Sequence, residues 1–236
     1  KGLREGGRII VNGDEPLLAD IPNAIKCGID NSQNQVYAYN IEKDGETTVF
    51  DVNLFGKVFR ARIGAIGKHM VYDALFAFAA GHLLGLTPEM MCNSLVDFKS
   101  VGDRQRILSK DGVRIIADCY NASPESVSAA LDVLGGFDGR KIAVLGDMLE
   151  LGDHSPSLHR LVGKKASEKA DMLVCIGEQS KNTAVAFGKE AVCFDADQGD
   201  MAAEYIKNKV LAGDTVLFKG SRGMRLESVM KKVFDI

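Results

Sequence analysis

The 236-residue sequence predicts an α/β fold: a parallel β-sheet with helices on both faces, preceded by a smaller section of strands and two helices. Three observations predict it. From Val113 onward, short apolar runs alternate with helical stretches five times, the pattern of strand–helix–strand units. Those runs are apolar on both faces apart from Arg114, Lys141 and Thr215 at or near their starts, as strands buried between two helix layers should be. Finally, 25 glycines supply the tight turns that many short connections need.

The elements follow in order. Lys1-Gly2-Leu3-Arg4-Glu5-Gly6-Gly7 reads as the end of a helix already under way, so the chain is expected to be a piece of something longer, without a signal peptide. Residues 8–12 predict a short strand ending in the turn Asn12-Gly13-Asp14-Glu15-Pro16. Residues 35–41 and 47–52 alternate as strands around Lys43-Asp44-Gly45-Glu46, and residues 58–63 alternate again. These strands predict a small antiparallel sheet with one unpaired edge. The period then changes, and residues 68–84 place Val71, Ala74, Leu75, Phe78 and Ala79 on one helix face. Thr87-Pro88-Glu89 starts a second helix as cap, first-turn proline and first-turn acid. Beyond it, strands are expected at 113–117, 141–145, 172–176, 191–194 and 215–218, with helices such as 126–134 and 159–169 between them. The domain boundary is expected near residues 99–108, with the domains taken as 1–107 and 108–236.

Composition excludes several classes. Apolar residues make 46% and charged residues 26% of the chain, which is globular composition. The net charge of -3 is spread over both halves, so nothing drives broad nucleic-acid or anionic-membrane binding. The longest nearly apolar stretch, residues 74–86, contains His82 and falls short of the roughly 20 residues a spanning helix needs. Cys27, Cys92, Cys119, Cys175 and Cys193 are scattered, with no Cys-x-x-Cys pair, which points to a reducing, cytoplasmic setting. No metal-ligand spacing is present among the four histidines.

In a parallel sheet the carboxyl ends of the strands share one edge, where ligands gather. The loops there are 118–124, 146–152, 177–181 and 219–223. Taken singly, Ser123, Asp147 and Ser221 could each cap a helix; taken together, four converging loops point to a ligand site. Lys219-Gly220-Ser221-Arg222-Gly223 suits an anion or a carboxylate. No Gly-x-x-x-x-Gly-Lys-Ser/Thr loop occurs, and Asp118-Cys119-Tyr120-Asn121 stands where a dinucleotide fingerprint would be. Asp118 could accept from ribose hydroxyls or cap the next turn. Arg104 and Arg106 precede its strand, and one of them is expected on a solvated face. His69 opens a helix after Gly67, at a nucleotide pocket or simply at a helix end, while His154 is expected at the surface near His159. Asp147 and Glu150 form a carboxylate pair that favours substrate amine recognition over a metal.

The stretches 118–126 (Asp-Cys-Tyr-Asn-Ala-Ser-Pro-Glu-Ser), 145–152 (Leu-Gly-Asp-Met-Leu-Glu-Leu-Gly) and 219–224 (Lys-Gly-Ser-Arg-Gly-Met) resemble the Mur ligases in content, order and spacing. Asn12-Gly13-Asp14 and Gly67-Lys68-His69-Met70-Val71-Tyr72-Asp73 are similar to the second half of that family's central ATPase domain. The resemblance implies residues 1–107 as part of that ATP-binding domain, without its phosphate loop, and 108–236 as a Rossmann-like carboxyl-terminal ligase domain. It implies ATP-driven, ADP-forming amide synthesis in peptidoglycan precursor assembly. D-alanyl-D-alanine would be added to UDP-N-acetylmuramoyl-tripeptide through an acyl phosphate, with ATP and magnesium required.

Carried over by position, His69, Met70 and Asp73 fall at adenine, Arg104 and Asp118 at ribose, and Tyr120 and Asn121 beside the nucleotide. Asp147, Glu150, Lys219, Ser221 and Arg222 would face the peptide and dipeptide. Met70 and Asp73 stand where the family often has asparagines, and Ser123 where it often has Asn. Catalytic residues, phosphate loop and magnesium ligands are expected upstream of residue 1, so the chain alone is expected to be inactive. A monomer is expected, with small-molecule partners only: no nucleic acid and no membrane insertion. A Mur ligase with another substrate, such as glutamate, and a non-catalytic binding module of the same fold remain alternatives.

Overall fold

The computed structural model describes residues 3–99 and 104–236. The chain divides into two compact units, Lys1–Lys99 and Ser100–Ile236.

In the first unit, β1 (Ile10–Asn12), β2 (Ile25–Ile29), β3 (Val36–Asp44), β4 (Thr47–Leu54) and β5 (Lys57–Ile63) form a sheet in that spatial order. The short helix α1 (Pro16–Ala19) follows β1, and α2 (Lys68–Leu83) and α3 (Pro88–Val96) follow β5. The sheet is mixed, not antiparallel as expected: β1, β2 and β3 run parallel, while β4 is antiparallel to β3 and β5 to β4. The unanticipated strand is β2. Its sequence, Ile-Lys-Cys-Gly-Ile, is a five-residue run that includes a glycine, and it lies between two neighbours with Cys27 and Gly28 buried. β4 alternates cleanly and sends Phe50, Val52 and Leu54 into the core under α2, where Val71, Leu75 and Phe78 meet them. Phe59 packs edge-to-face on Phe78 at 5.3 Å. Thr87 caps α3 by accepting from the Met90 amide, as its sequence predicts.

One carboxylate ties this unit together. Asp14, in the turn after β1, accepts from the Ile29 amide (2.6 Å), the Tyr72 hydroxyl (2.8 Å) and the Asn34 and Asn31 side-chain amides (3.0 and 3.3 Å). It thereby joins β1, the end of β2, the β2–β3 turn and α2. Gly28 is needed beside it, since a Cβ there would strike the Asn34 and Asp14 side chains. Burial, and then the hydrogen bond to Asp14, push the Tyr72 phenol up to about 12. Because the folded value lies above that of a free phenol, about 10, the neutral Tyr72–Asp14 bond supports the fold below about pH 10, and that support is lost as pH rises through about 12. Phenolate absorbance of the chain should therefore show a last step near pH 12 that Tyr72→Phe removes. Asp14→Ala, which strips four donors of their acceptor, should destabilise the unit by at least about 3 kcal/mol in urea unfolding.

The second unit is a six-stranded sheet in the order β10-β9-β8-β11-β7-β6. Its strands are β6 (Arg106–Lys110), β7 (Val113–Asp118), β8 (Lys141–Gly146), β9 (Met172–Ile176), β10 (Ala191–Phe194) and β11 (Thr215–Lys219). β7 to β11 are parallel, as predicted, and are followed by α4 (Pro124–Gly135), α5 (Ser155–Lys169), α6 (Ser180–Phe187), α7 (Gly199–Lys209) and α8 (Leu226–Phe234). The addition is β6, antiparallel to β7 at the sheet edge. Asp111-Gly112, with φ of 50° and 77°, makes the tight turn between them. Position 107/108 lies inside β6, and the chain divides into its compact units between Lys99 and Ser100.

Successive residues of each parallel strand serve opposite faces. Ile115, Val144, Val174, Val216 and Phe218 join the core under α7 and α8, where Phe218 meets Phe234 edge-to-face. Ile116, Ala143, Leu173 and Leu217, also buried, serve the other face, where α4, α5 and α6 pack side by side.

Candidate functional site

β11 lies between β8 and β7, with Lys219 opposite both Leu145 and Asp118. The helix after β11 covers one face, and the helices after β7 and β8 cover the other. Connections that leave adjacent strand ends in opposite directions open a crevice at the carboxyl edge. Gly146 and Gly220 lie side by side there: a Cβ on Gly220 would come within 3.2 Å of the Gly146 Cα.

At the β11–β7 side of this crevice, Lys219 is only 3% exposed. Its ammonium donates to the Asp118 carboxylate at 2.7 Å and to the Asn121 carbonyl at 3.0 Å. The second Asp118 oxygen accepts the Gln105 amide at 3.2 Å. The carboxylate that meets Lys219 in this structure is therefore Asp118 of the chain itself. Just outside, the Arg104 guanidinium lies 4.0 Å from the centre of the Tyr120 ring, and that of Arg222 lies 6.0 Å from it. Tyr120 is 47% exposed, and Arg104, Asn121 and Arg222 are exposed with it. Arg222 also reaches Glu227 at 3.4 Å.

At the β8 side the loop is held from three directions. Ser221 Oγ accepts the Leu149 amide (2.9 Å), and the Asp147 carbonyl accepts the Ser221 amide (3.1 Å). Asp147 is buried, and its carboxylate accepts the Ser180 amide at 2.7 Å, so it caps the start of α6. Gly177, at φ 122°, gives it room: a Cβ there would collide with that carboxylate. His159, fully buried on α5, accepts the Met148 amide through Nε2 at 3.0 Å, with Nδ1 2.8 Å from the Ser155 carbonyl. The Nε2 acceptor therefore leaves Nδ1 as the donor. Glu150, exposed at φ 64°, projects from the resulting turn.

The edge thus brings together Arg104, Asp118, Tyr120, Asn121, Lys219 and Arg222, and beside them Asp147, Glu150 and Ser221. Ser123 has only a capping role, in a reciprocal box with Ser126 at the head of α4. His154 is exposed, as expected. Sequence reasoning did not identify Gln105, His159 and Ser180 as supports; an apolar-face histidine one helix turn after Pro156 was the available signal for His159.

In the first unit, His69 and Asp73 lie one turn apart on one face of α2. Burial raises the Asp73 carboxyl, and His69 opposes the shift. Met70 packs against the core. Gly67, at φ 116°, starts the helix, and Thr48 Oγ1 accepts its amide at 3.1 Å while donating to the Ala65 carbonyl at 2.8 Å. Among the described residues no three His, Cys, Asp or Glu side chains converge to hold a metal, and no helix is long and apolar enough to cross a membrane.

A six-stranded α/β unit with its polar groups gathered at the carboxyl edge is a domain of the doubly wound class, in which ligands bind at that edge. Residues 103–222 match the family profile described as Mur ligase, glutamate ligase domain, and the chain belongs to the Mur ligases. A Bacillus subtilis relative, UDP-N-acetylmuramoyl-tripeptide–D-alanyl-D-alanine ligase, is 35% identical over 99% of this chain and 52% of its own length. The Haemophilus influenzae protein of the same name is 31% identical over 100% of this chain and 53% of its own. The chain spans about half the length of the curated relatives it matches. Among solved structures, MurF ligase from Thermotoga maritima in complex with ADP has the same fold, with TM-score 0.83 at 24% identity over 96% of this chain and 52% of that one. A MurF from Acinetobacter baumannii gives TM-score 0.81 at 26% identity, over 98% and 52%.

Two outcomes check this geometry. Lys219→Met leaves Asp118 charged and largely enclosed, and should cost about 3–5 kcal/mol in urea unfolding. Adding Asp118→Asn should recover most of that loss, which a simple packing defect would not allow. Separately, His159→Phe removes the acceptor of the Met148 amide, and hydrogen exchange at Met148 and Leu149 should accelerate while β8 stays protected.

Proposed function

We propose that the chain is the carboxyl-terminal half of a cytoplasmic, ATP-dependent ligase that joins D-alanyl-D-alanine to UDP-N-acetylmuramoyl-tripeptide, releasing ADP and phosphate. The observation that carries the reading is the alignment of the whole of this chain with about half of relatives named for that reaction. In such a reaction the terminal phosphoryl group of ATP passes to the tripeptide carboxylate. The dipeptide amine then attacks the carbonyl carbon of the acyl phosphate, the amide bond forms as the carbon–oxygen bond breaks, phosphate leaves with that electron pair, and the amine nitrogen gives up a proton to solvent. Catalysis of this kind consists mainly of positioning and charge stabilisation.

Each unit's contribution is proposed by itself. In the second, Arg104 and Asp118 hold the ribose, with Tyr120 and Asn121 beside the nucleotide. Lys219 acts through Asp118, fixing the orientation of its carboxylate. The exposed Arg222 suits the substrate carboxylate, and Glu150 suits the amine. Asp147 and Ser221 shape the loop that carries them. In the first unit, His69 and Asp73 present polar groups suited to adenine from one face of α2, with Met70 at its root. The magnesium that the family implies finds no converging ligand set among the described residues, and no role in holding it is assigned to them. A second reading, a family member adding another amino acid such as glutamate, is favoured only by the wording of the family profile.

The test is phosphate release by the complete protein. It should require ATP, tripeptide nucleotide and D-alanyl-D-alanine together, and the 236 residues alone should release none. Stimulation by glutamate instead would establish the second reading. Arg104→Ala should raise the KM for ATP ten- to a hundredfold, from loss of a charged contact of about 1.5–3 kcal/mol, and leave the dipeptide KM unchanged. The reverse pattern would remove Arg104 from the nucleotide site.

A further inference from the structure

β9 and β10 place two cysteines side by side. Cys193 and Cys175 are register partners in this parallel pair, one residue before each strand's carboxyl end. Partners in register sit about 4.8 Å apart at Cα, inside the roughly 4.4–6.8 Å window of protein disulfides. Their side chains share the face of the sheet covered by α6, and the two thiols lie close enough to shift each other's ionisation. They differ in every other respect. Cys175 is fully buried, while Cys193 is exposed on a four-residue strand at the sheet edge. A short edge strand paired on one side can yield the small shift that closing a bridge between parallel strands requires.

We propose that Cys193 and Cys175 form a peroxide-responsive thiol pair, with Cys193 the reacting sulfur and Cys175 the resolving one. Cys193 thiolate attacks hydrogen peroxide, the O–O bond breaks, and sulfenic acid forms at Cys193 while the departing hydroxide is protonated to water. Cys175 then attacks that sulfur, a disulfide forms, and its thiol proton leaves with the sulfenic hydroxyl as a second water. Two thiols are oxidised by two electrons in all, and one peroxide is reduced to two waters.

The local charges favour this division. The Cys175 thiol beside it, and then the ammonium of Lys181, bring the Cys193 thiol down to about 7. The same pairing, with burial and the Asp147 carboxylate, holds Cys175 well above the usual thiol range. Lys181 is kept over this site by ion pairs to Glu178 (2.7 Å) and Asp195 (2.9 Å). The other cysteines lack these features: Cys27 is buried and pushed up to about 12, burial raises Cys92, and Cys119 is buried with its thiol donating to the Phe218 carbonyl. A bridge here would fasten the edge strand beside Gly177, the residue that makes room for Asp147.

The experiment is hydrogen peroxide treatment of the 236-residue chain, followed by thiol blocking, trypsin digestion and mass mapping. Lys181 and Lys189 lie between the two cysteines, so their peptides separate unless bridged. The expected product is a Cys175–Cys193 linked pair that dithiothreitol releases, with the other cysteines still reduced. In Cys175→Ala, dimedone should instead trap sulfenic acid at Cys193. In Cys193→Ala, Cys175 should stay reduced. Before peroxide, alkylation of Cys193 should rise with pH through about 7, and Cys175→Ala should move that rise upward. Over-oxidation of Cys193 without a bridge, or oxidation no faster than at Cys92, would overturn the proposal.

Discussion

The geometry of the second unit depends on a single buried cation. An ammonium removed from water is tolerable only when a carboxylate and further acceptors replace its hydration. Lys219 finds both, in Asp118 and in the carbonyl of Asn121. That requirement ties the end of β11 to the loop after β7 and fixes the path of the chain from Asp118 to Asn121. The fixed path then presents Tyr120 outward, where Arg104 stacks on it. A neutral residue at 219 would leave the strands in place and the edge loop without a reason to hold its shape.

The same division runs through the whole edge. Three buried polar side chains there are satisfied by other parts of the chain: Asp147 by the start of α6, Ser221 by the 146–152 loop, His159 by the Met148 amide. The groups left facing solvent, Arg104, Tyr120, Glu150 and Arg222, stand on loops that those contacts hold. Capping and ligand binding are therefore not competing explanations for these loops. The capped loops are what make the exposed groups a surface with a fixed shape.

Much of this was legible in the sequence, and the omissions have physical causes. The helix at 68–84 and the buried strands of the second unit carry strong periodicity or uninterrupted apolar runs, and they fall where expected. β2 signals only weakly, since it is five residues long with just three apolar side chains and a glycine, and its two neighbours complete it as a strand. β6 alternates weakly, and its one local signal was the Asp111-Gly112 turn. At the site, the gathering of loops follows from strand direction alone. The Lys219–Asp118 partnership does not, because its members are 101 residues apart and no local pattern records which cation meets which acid. The hold of Asp147 on α6 was hidden for the same reason: an acid in one loop caps a helix that belongs to the next unit.

β11 comes last among the strands yet lies between β8 and β7. The two strands that flank it are therefore not neighbours of each other, and nothing in the first four parallel strands can close the gap. During synthesis, β7 with its antiparallel partner and β8 with β9 and β10 can form only as two separate half-sheets. Each half-sheet exposes an apolar inner edge until residues around 215 arrive. The slow, long-range insertion of one central strand is then the step that turns two sticky halves into a single domain. A nascent chain of this design is most vulnerable to aggregation in the interval after β10 has been made and before β11 emerges.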